Sequence, residues 1–343
     1  MTAPPQLNGK EFFTTKHTKS TKFGDLAIRT LRDLRGELHP GYTTNSVRHS
    51  TSTMAATHEH FVDCLGLPLH YLEWGEPNGE PLVLVHGFLD LAYSWQPFVT
   101  ALQAKSERPL RIIAPDCRGH GDSGWVGAGG YYHFADYIFD LDCVIRSTGI
   151  AQCKLIGHSM GGTIAFQYAG TFTNRVSKLV LIEGVGPAGM EFSDAPARMQ
   201  LWIDEVRQRG RHHFREYTSV EAGASQLSQS NPRLNDAFAS DLARAGMKQN
   251  HHGKWVWKFD PLHRTAAPQP FYSQQALEFF RRIECPILIV DGKQSRQTRR
   301  TDKQQRYDAM RDQRRVVIDD AGHMVHQDNP GRLAEEVASF LGL

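Results

Sequence analysis

One serine in the chain stands where a nucleophile has to stand. Gly157-His158-Ser159-Met160-Gly161 reads G-x-S-x-G, with the apolar run Lys154-Leu155-Ile156 before it and helix-compatible residues Thr163–Ala169 after it. A serine in that context occupies a strained strand-to-helix turn. Glycines two residues to either side are required there, because a larger side chain collides with neighbouring backbone. The helix that follows directs its free N–H groups and partial positive charge at the oxyanion formed in acyl transfer. A serine hydroxyl is a weak nucleophile until a base takes its proton. Seventeen histidines are available, and position selects His323: it follows the apolar run Val316-Val317-Ile318 and precedes a helix pattern starting near Pro330, with His326 its nearest competitor.

The oxyanion that such a pair creates needs backbone donors. Phe88 follows His86 and Gly87 directly after the buried run Leu82–Val85, and its amide is the expected partner of the Met160 amide. His86, Trp125 and Trp202 are the candidate substrate contacts, although His86 and Gly87 also read simply as a tight turn. Phe214, Trp255, Trp257, Met190 and Met199 either join Trp202 over Ser159 as an apolar pocket or pack within their own segment.

The elements that hold these residues follow from hydrophobic patterning. Phe61–Cys64 and Leu69–Trp74, split by Gly66 and Pro68, predict an antiparallel hairpin at a sheet edge. Apolar runs of strand length occur at 82–86, 111–115, 154–157, 178–183, 286–290 and 315–318, most of them continuous, as in strands buried on both faces. Helix-compatible stretches near 94–104, 133–147, 160–170, 274–282 and 331–341 alternate with them, which predicts a doubly wound α/β architecture with right-handed crossovers. Between Gly186 and Tyr272 the rhythm breaks into some 85 helical residues with no convincing strand, an expected lid. The domain reading is therefore a polar arm at 1–53, core at 54–186, helical cap at 187–272 and core again at 273–343. The arm offers little to pack, and Met54 is the expected natural start of translation.

Bulk properties narrow the partners. Thirty-nine Lys and Arg against 37 Asp and Glu leave a net charge of +2, which calls for neither nucleic acid nor an acidic membrane. No run approaches the roughly 20 apolar residues that span a bilayer, and the N-terminus lacks a signal-peptide core, so the expected compartment is the cytoplasm. The five cysteines, Cys64, Cys117, Cys143, Cys153 and Cys285, lack metal-binding spacing and are odd in number, which argues against both a metal motif and a disulfide framework. The Arg-rich run Arg296–Arg315 reads as a solvated loop and helix face, with an anionic group of the substrate as the sharper alternative.

Taken together, His86-Gly87-Phe88, the stretch from Asp116 to Ser123, Gly157–Gly162 and Ala321-Gly322-His323 resemble the successive landmarks of the α/β-hydrolase family over residues 60–343. The resemblance implies a mostly parallel eight-stranded sheet flanked by helices, a helical cap after the sixth strand, and acyl-enzyme chemistry without a cofactor or metal. Small bacterial hydrolases and serine-hydrolase-like proteins carry a cap motif similar to Gly253–Lys258 with Asp260-Pro261. Most members place the acid of the triad after the seventh strand in a G-x-x-D pattern, where this chain has Ser295, which cannot hold an imidazolium by charge. Some members take the acid from the end of the sixth strand instead, and Glu183 is the choice on that pattern, with Asp291 the runner-up. The expected substrate is a small, hydrophobic carboxylic ester; thioesters, lactones, amides and carbon–carbon bonds of diketones remain open, as does a non-catalytic ligand-binding protein. Ser159 argues against the dehalogenase and epoxide hydrolase chemistries of this fold, which need aspartate at the turn.

Overall fold

The computed structural model describes residues 57–209, 214–296 and 302–343. The polar arm and the Met54 start lie outside the described residues. Eight strands form one sheet: β1 (Thr57–Cys64), β2 (Leu67–Gly75), β3 (Glu80–Val85), β4 (Leu110–Pro115), β5 (Cys153–His158), β6 (Val176–Ile182), β9 (Ile287–Gly292) and β10 (Gln313–Ile318). Their spatial order is β1-β2-β4-β3-β5-β6-β9-β10. β1 and β2 pair antiparallel, β2 runs antiparallel to β4, and the six strands from β4 to β10 are parallel. The expected edge hairpin closes through Leu65 and Gly66, both at positive φ (53° and 86°), the geometry of a two-residue primed turn.

The two faces of this sheet follow from the pleat. Val83, Val85, Leu155, Leu179, Leu181, Ile287 and Ile289 point into a core completed by helices α2 (Phe134–Ser147), α3 (Met160–Thr171) and α7 (Ser273–Arg282). Their neighbours Leu82, Leu84, Ile156, Val180, Ile182, Leu288 and Val290 point the other way, against α1 (Gln96–Gln103) and α10 (Pro330–Leu341). A strand covered on both sides has no reason to alternate polar and apolar residues, which is why the runs are continuous.

Between β6 and β9 lie helices α4 (Ala195–Arg209), α5 (Val220–Ser230) and α6 (Asp236–Gly246), and here the expectation of an all-helical segment is corrected. β7 (Met247–Gln249) and β8 (Trp255–Trp257) pair antiparallel, and Tyr217 bridges to Trp255 beside them. Strands of three residues are too short for any period to show. The Trp255-Val256-Trp257 strand is packed by Tyr217, Ala224, Ala243 and Met247 in a small cluster of its own.

The Arg-rich run is also not simply a solvated face. It contains α8 (Gln304–Ala309), on which Arg306 is fully buried. Its guanidinium donates to the carbonyls of Val185 (2.9 Å), Gly186 (2.7 Å) and Pro187 (2.7 Å) and to Ser273 Oγ (3.1 Å), binding the exit of β6 to α7. Lys303 is likewise buried, at 3.0 Å from Asp291.

Candidate active site

Ser159 is the single residue between β5 and α3, with φ 52° and ψ −112°, a conformation costly for any residue with a Cβ. It is held there by its amide, which donates to the Ile182 carbonyl at 2.9 Å. The flanking glycines are forced by space: a Cβ on Gly157 lies 2.3 Å from the Gly161 carbonyl oxygen, and one on Gly161 lies 2.1 Å from that of Val85.

On this turn Ser159 Oγ lies 2.9 Å from His323 Nε2, and His323 Nδ1 lies 3.2 Å from Glu183 Oε2. The loop carrying His323 is fixed twice. The Gly322 amide donates to Asp328 Oδ2 at 2.7 Å, and His158 Nε2 donates to the His323 carbonyl at 2.8 Å. Glu183 follows β6 directly, at φ 51°, with its amide on the Val290 carbonyl at 2.8 Å. Its buried carboxylate accepts from the Gly292 amide (2.8 Å) and from Ser295 Oγ (2.6 Å). A carboxylate so placed fixes the imidazole's tautomer and supports the charge that proton transfer creates on it.

The runner-up acid is turned elsewhere. Asp291 pairs with Lys303 and has Tyr307 OH at 3.5 Å; burial pushes its carboxyl up, and the Lys303 ammonium pulls it partly back. His326 is also away from the serine: it is fully buried, with its ring 4.5 Å from that of Trp95.

Ser159, Met160, Phe88 and Glu183 all line one cavity of about 740 Å³. Neither the Phe88 nor the Met160 amide donates to a protein acceptor among the described residues, so both are available to an oxyanion. Three expected substrate contacts fall outside this cavity. His86 is fully buried, takes the Cys117 amide on Nε2 at 2.9 Å and approaches the Gly87 carbonyl with Nδ1 at 2.7 Å, so it shapes the turn. Trp125 donates to the Lys258 carbonyl and stacks on Phe214, and Trp202 packs edge-on against Tyr131. Of Phe214, Trp255, Trp257, Met190 and Met199, only Met190 lines the cavity, which Phe271 and Tyr272 also wall.

Among the cavity walls that sequence reasoning missed are Tyr131, Tyr132, His263 and Arg198. His263 lies against Tyr132, ring centroids 3.9 Å apart, and burial lowers its pKa to about 3, so it faces the cavity as a neutral imidazole. Asp260 orients this corner by accepting from Tyr132 OH (2.8 Å) and capping the short helix Pro261–Arg264. The only signal available was His263 three residues after Asp260, and that spacing has no chemistry of its own.

With a strained serine, an imidazole and a buried carboxylate in one hydrogen-bonded row on a doubly wound sheet, comparison with known proteins agrees. Residues 82–336 match the profile of the alpha/beta hydrolase family, and the chain belongs to that family. A serine hydrolase-like protein of Danio rerio is 25% identical over 313 residues, 86% of this chain and 92% of that protein. A 3-hydroxybutyrate-oligomer hydrolase of Cupriavidus necator is 27% identical over 301 residues, covering 82% of this chain and 97% of the relative. Among solved structures, a thioesterase domain from the curacin biosynthetic pathway superposes with a TM-score of 0.75 at 27% identity, over 83% of this chain and 99% of the domain. The chain is a hydrolase of this family.

Proposed function

We propose that the protein cleaves carboxylic esters or closely related acyl bonds through an acyl-enzyme on Ser159. The observation that carries this reading is the row Ser159 Oγ, His323 Nε2, His323 Nδ1 and Glu183 Oε2, with successive contacts of 2.9 and 3.2 Å. His323 takes the serine proton as Oγ attacks the carbonyl carbon, and Glu183 supports the resulting imidazolium. The Phe88 and Met160 amides receive the oxyanion, and collapse expels the alcohol with the proton returned by His323. A water activated by the same imidazole then releases the acid and frees Ser159.

Residues 187–272 act as the cap in this reading, and the aromatic and proline-rich walls they share with α2 favour an apolar acyl group. Arg198, the one Lys or Arg of the cavity lining among the described residues, suits a substrate with a polar or acidic far end. The curacin thioesterase domain, with its TM-score of 0.75, supports thioesters as the second reading, since the same row serves either leaving group. Five unpaired cysteines fit action in the cytoplasm.

Fluorophosphonate labelling of the wild type and Ser159→Ala, followed by p-nitrophenyl esters and acyl thioesters of increasing chain length, tests the reading. Labelling of the wild type alone, with turnover lost in Ser159→Ala, is expected. A folded wild type that neither labels nor turns over any ester is a binding protein instead.

A further inference from the structure

We propose that Asp90, His158 and His326 form a binding site for one divalent transition-metal ion, zinc by the nature of its ligands, beneath the loop that carries His323. One ligating atom from each of the three lies within 4.8 Å of the others. All three residues are more than nine-tenths buried, at 8%, 1% and 0% exposure. A carboxylate with two imidazoles is a donor set that zinc takes readily, leaving a fourth position for water.

The hydrogen-bond inventory points to a cation rather than to a finished network. Asp90 Oδ2 is buried with no hydrogen-bond partner, and His326 Nε2 approaches it only to 3.6 Å. A buried carboxylate oxygen left without a donor or cation is costly. His158 uses Nε2 on the His323 carbonyl, and a carbonyl can only accept, so that nitrogen holds the ring's donated proton. Nδ1 therefore presents a lone pair, and it is buried without a partner. His326 turns Nε2 toward Asp90 Oδ2, with Ser94 Oγ and Gln327 Nε2 no nearer to it than 3.4 Å, and its Nδ1 is buried without a partner in a ring 4.6 Å from that of His158. An unsatisfied carboxylate oxygen and a bare imidazole lone pair thus belong to a trio of residues whose ligating atoms gather within 4.8 Å of one another.

A second cluster shows what saturation looks like. His70 Nδ1 lies 2.7 Å from Asp116 Oδ2, which also accepts the Asp122 amide, while Asp116 Oδ1 accepts the Ala92 amide. That carboxylate has its donors and needs no ion. Asp90, by contrast, also lines a second cavity of about 460 Å³ bounded by Leu91, Tyr217 and Trp257, which gives an ion a route in. The three ligands come from the loop after β3, the end of β5 and α9 (Val325–Asp328), so no local spacing announces them. Because His158 also holds the His323 carbonyl, an ion drawn onto its other nitrogen bears on the proposed base and slows ester turnover. That second effect, unlike binding, rests on the hydrolytic reading above.

The test is calorimetric titration of ZnCl2 into the chelator-treated full chain, with Co²⁺ absorption as a probe of coordination. The proteins compared are the wild type, Asp90→Asn, His326→Gln, Ser159→Ala, and a control in which the exposed His251 and His252 are both alanine. One ion per chain is expected in the wild type, Ser159→Ala and the control, with intense four-coordinate Co²⁺ bands. Asp90→Asn and His326→Gln should each bind at least about tenfold more weakly. Absence of stoichiometric binding to the wild type overturns the site and leaves a bridging water in its place. So does a weak six-coordinate Co²⁺ spectrum, or binding that survives both ligand variants and disappears in the control. The wild-type spectrum decides even where a variant fails to fold. Binding with unchanged ester turnover overturns the coupling to His323; binding by a protein inert to all esters overturns the hydrolytic reading and upholds the site.

Discussion

Ser295 Oγ donates to Glu183 Oε2 at 2.6 Å, and that same oxygen faces His323 Nδ1 at 3.2 Å. The position where relatives of this fold commonly carry the acid is thus occupied by a hydroxyl that serves an acid from the neighbouring strand. Ser295→Ala should lower kcat roughly 10–100-fold, the loss expected when a charged acceptor gives up one donor, with KM little changed. Steady-state kinetics on a p-nitrophenyl ester separates the two parameters, and a rise in KM alone would count against the positioning role.

Glu183→Gln keeps shape and removes the charge proposed to support the imidazolium. Its kcat should fall by about 10³–10⁴-fold, while Asp291→Asn, whose partners are Lys303 and Tyr307, should stay near wild type in turnover. The reverse pattern in stopped-flow acylation rates would move the acid to Asp291.

Arg306 is a structural charge. Replacing it with Met leaves the carbonyls of Val185, Gly186 and Pro187 without their donor in the interior, at a cost of at least about 3 kcal/mol. Arg306→Lys recovers only part of it, since one ammonium cannot reproduce the planar fork. Urea midpoints measure both, and a shift under about 1 kcal/mol would show that the carbonyls find other donors.

Acid should destabilise the fold. Burial holds His120 and His158 well below their ordinary value and lowers His263 to about 3. Below about pH 6.5 the unfolded chain therefore binds protons that the folded one refuses, and stability falls with pH by up to about 1.4 kcal/mol per unit for each histidine. His70, raised by Asp116 despite its burial, contributes no slope there because both states hold its proton. Denaturant titrations from pH 7 to 5 should show a decline, and a flat profile would place a compensating group elsewhere.

The inner strands β3, β4, β5, β6 and β9 could be read in the chain because each carries apolar residues on both faces and is long enough to display it. Ser159 could be read because strand, glycines and helix all surround it within a dozen residues. The β7–β8 hairpin could not, since three residues per strand carry no period. Arg306 looked solvated because a charge run says nothing about which member meets three backbone carbonyls on a distant loop. The cavity walls were equally hidden: Tyr131, Arg198 and His263 meet only after folding, while the conspicuous Trp125 and Trp202 spend their rings on packing.

Ser159 and Glu183 sit at the ends of adjacent strands with nearly equal positive φ, 52° and 51°, neither of them glycine. The protein thus keeps two side chains in backbone conformations that oppose folding, each at a cost of roughly 1–3 kcal/mol. Ser159→Gly should raise the unfolding free energy by about 1 kcal/mol while abolishing acyl transfer. A library selected for thermal endurance alone would drift toward that glycine, whereas selection for the proposed turnover would hold the serine in place.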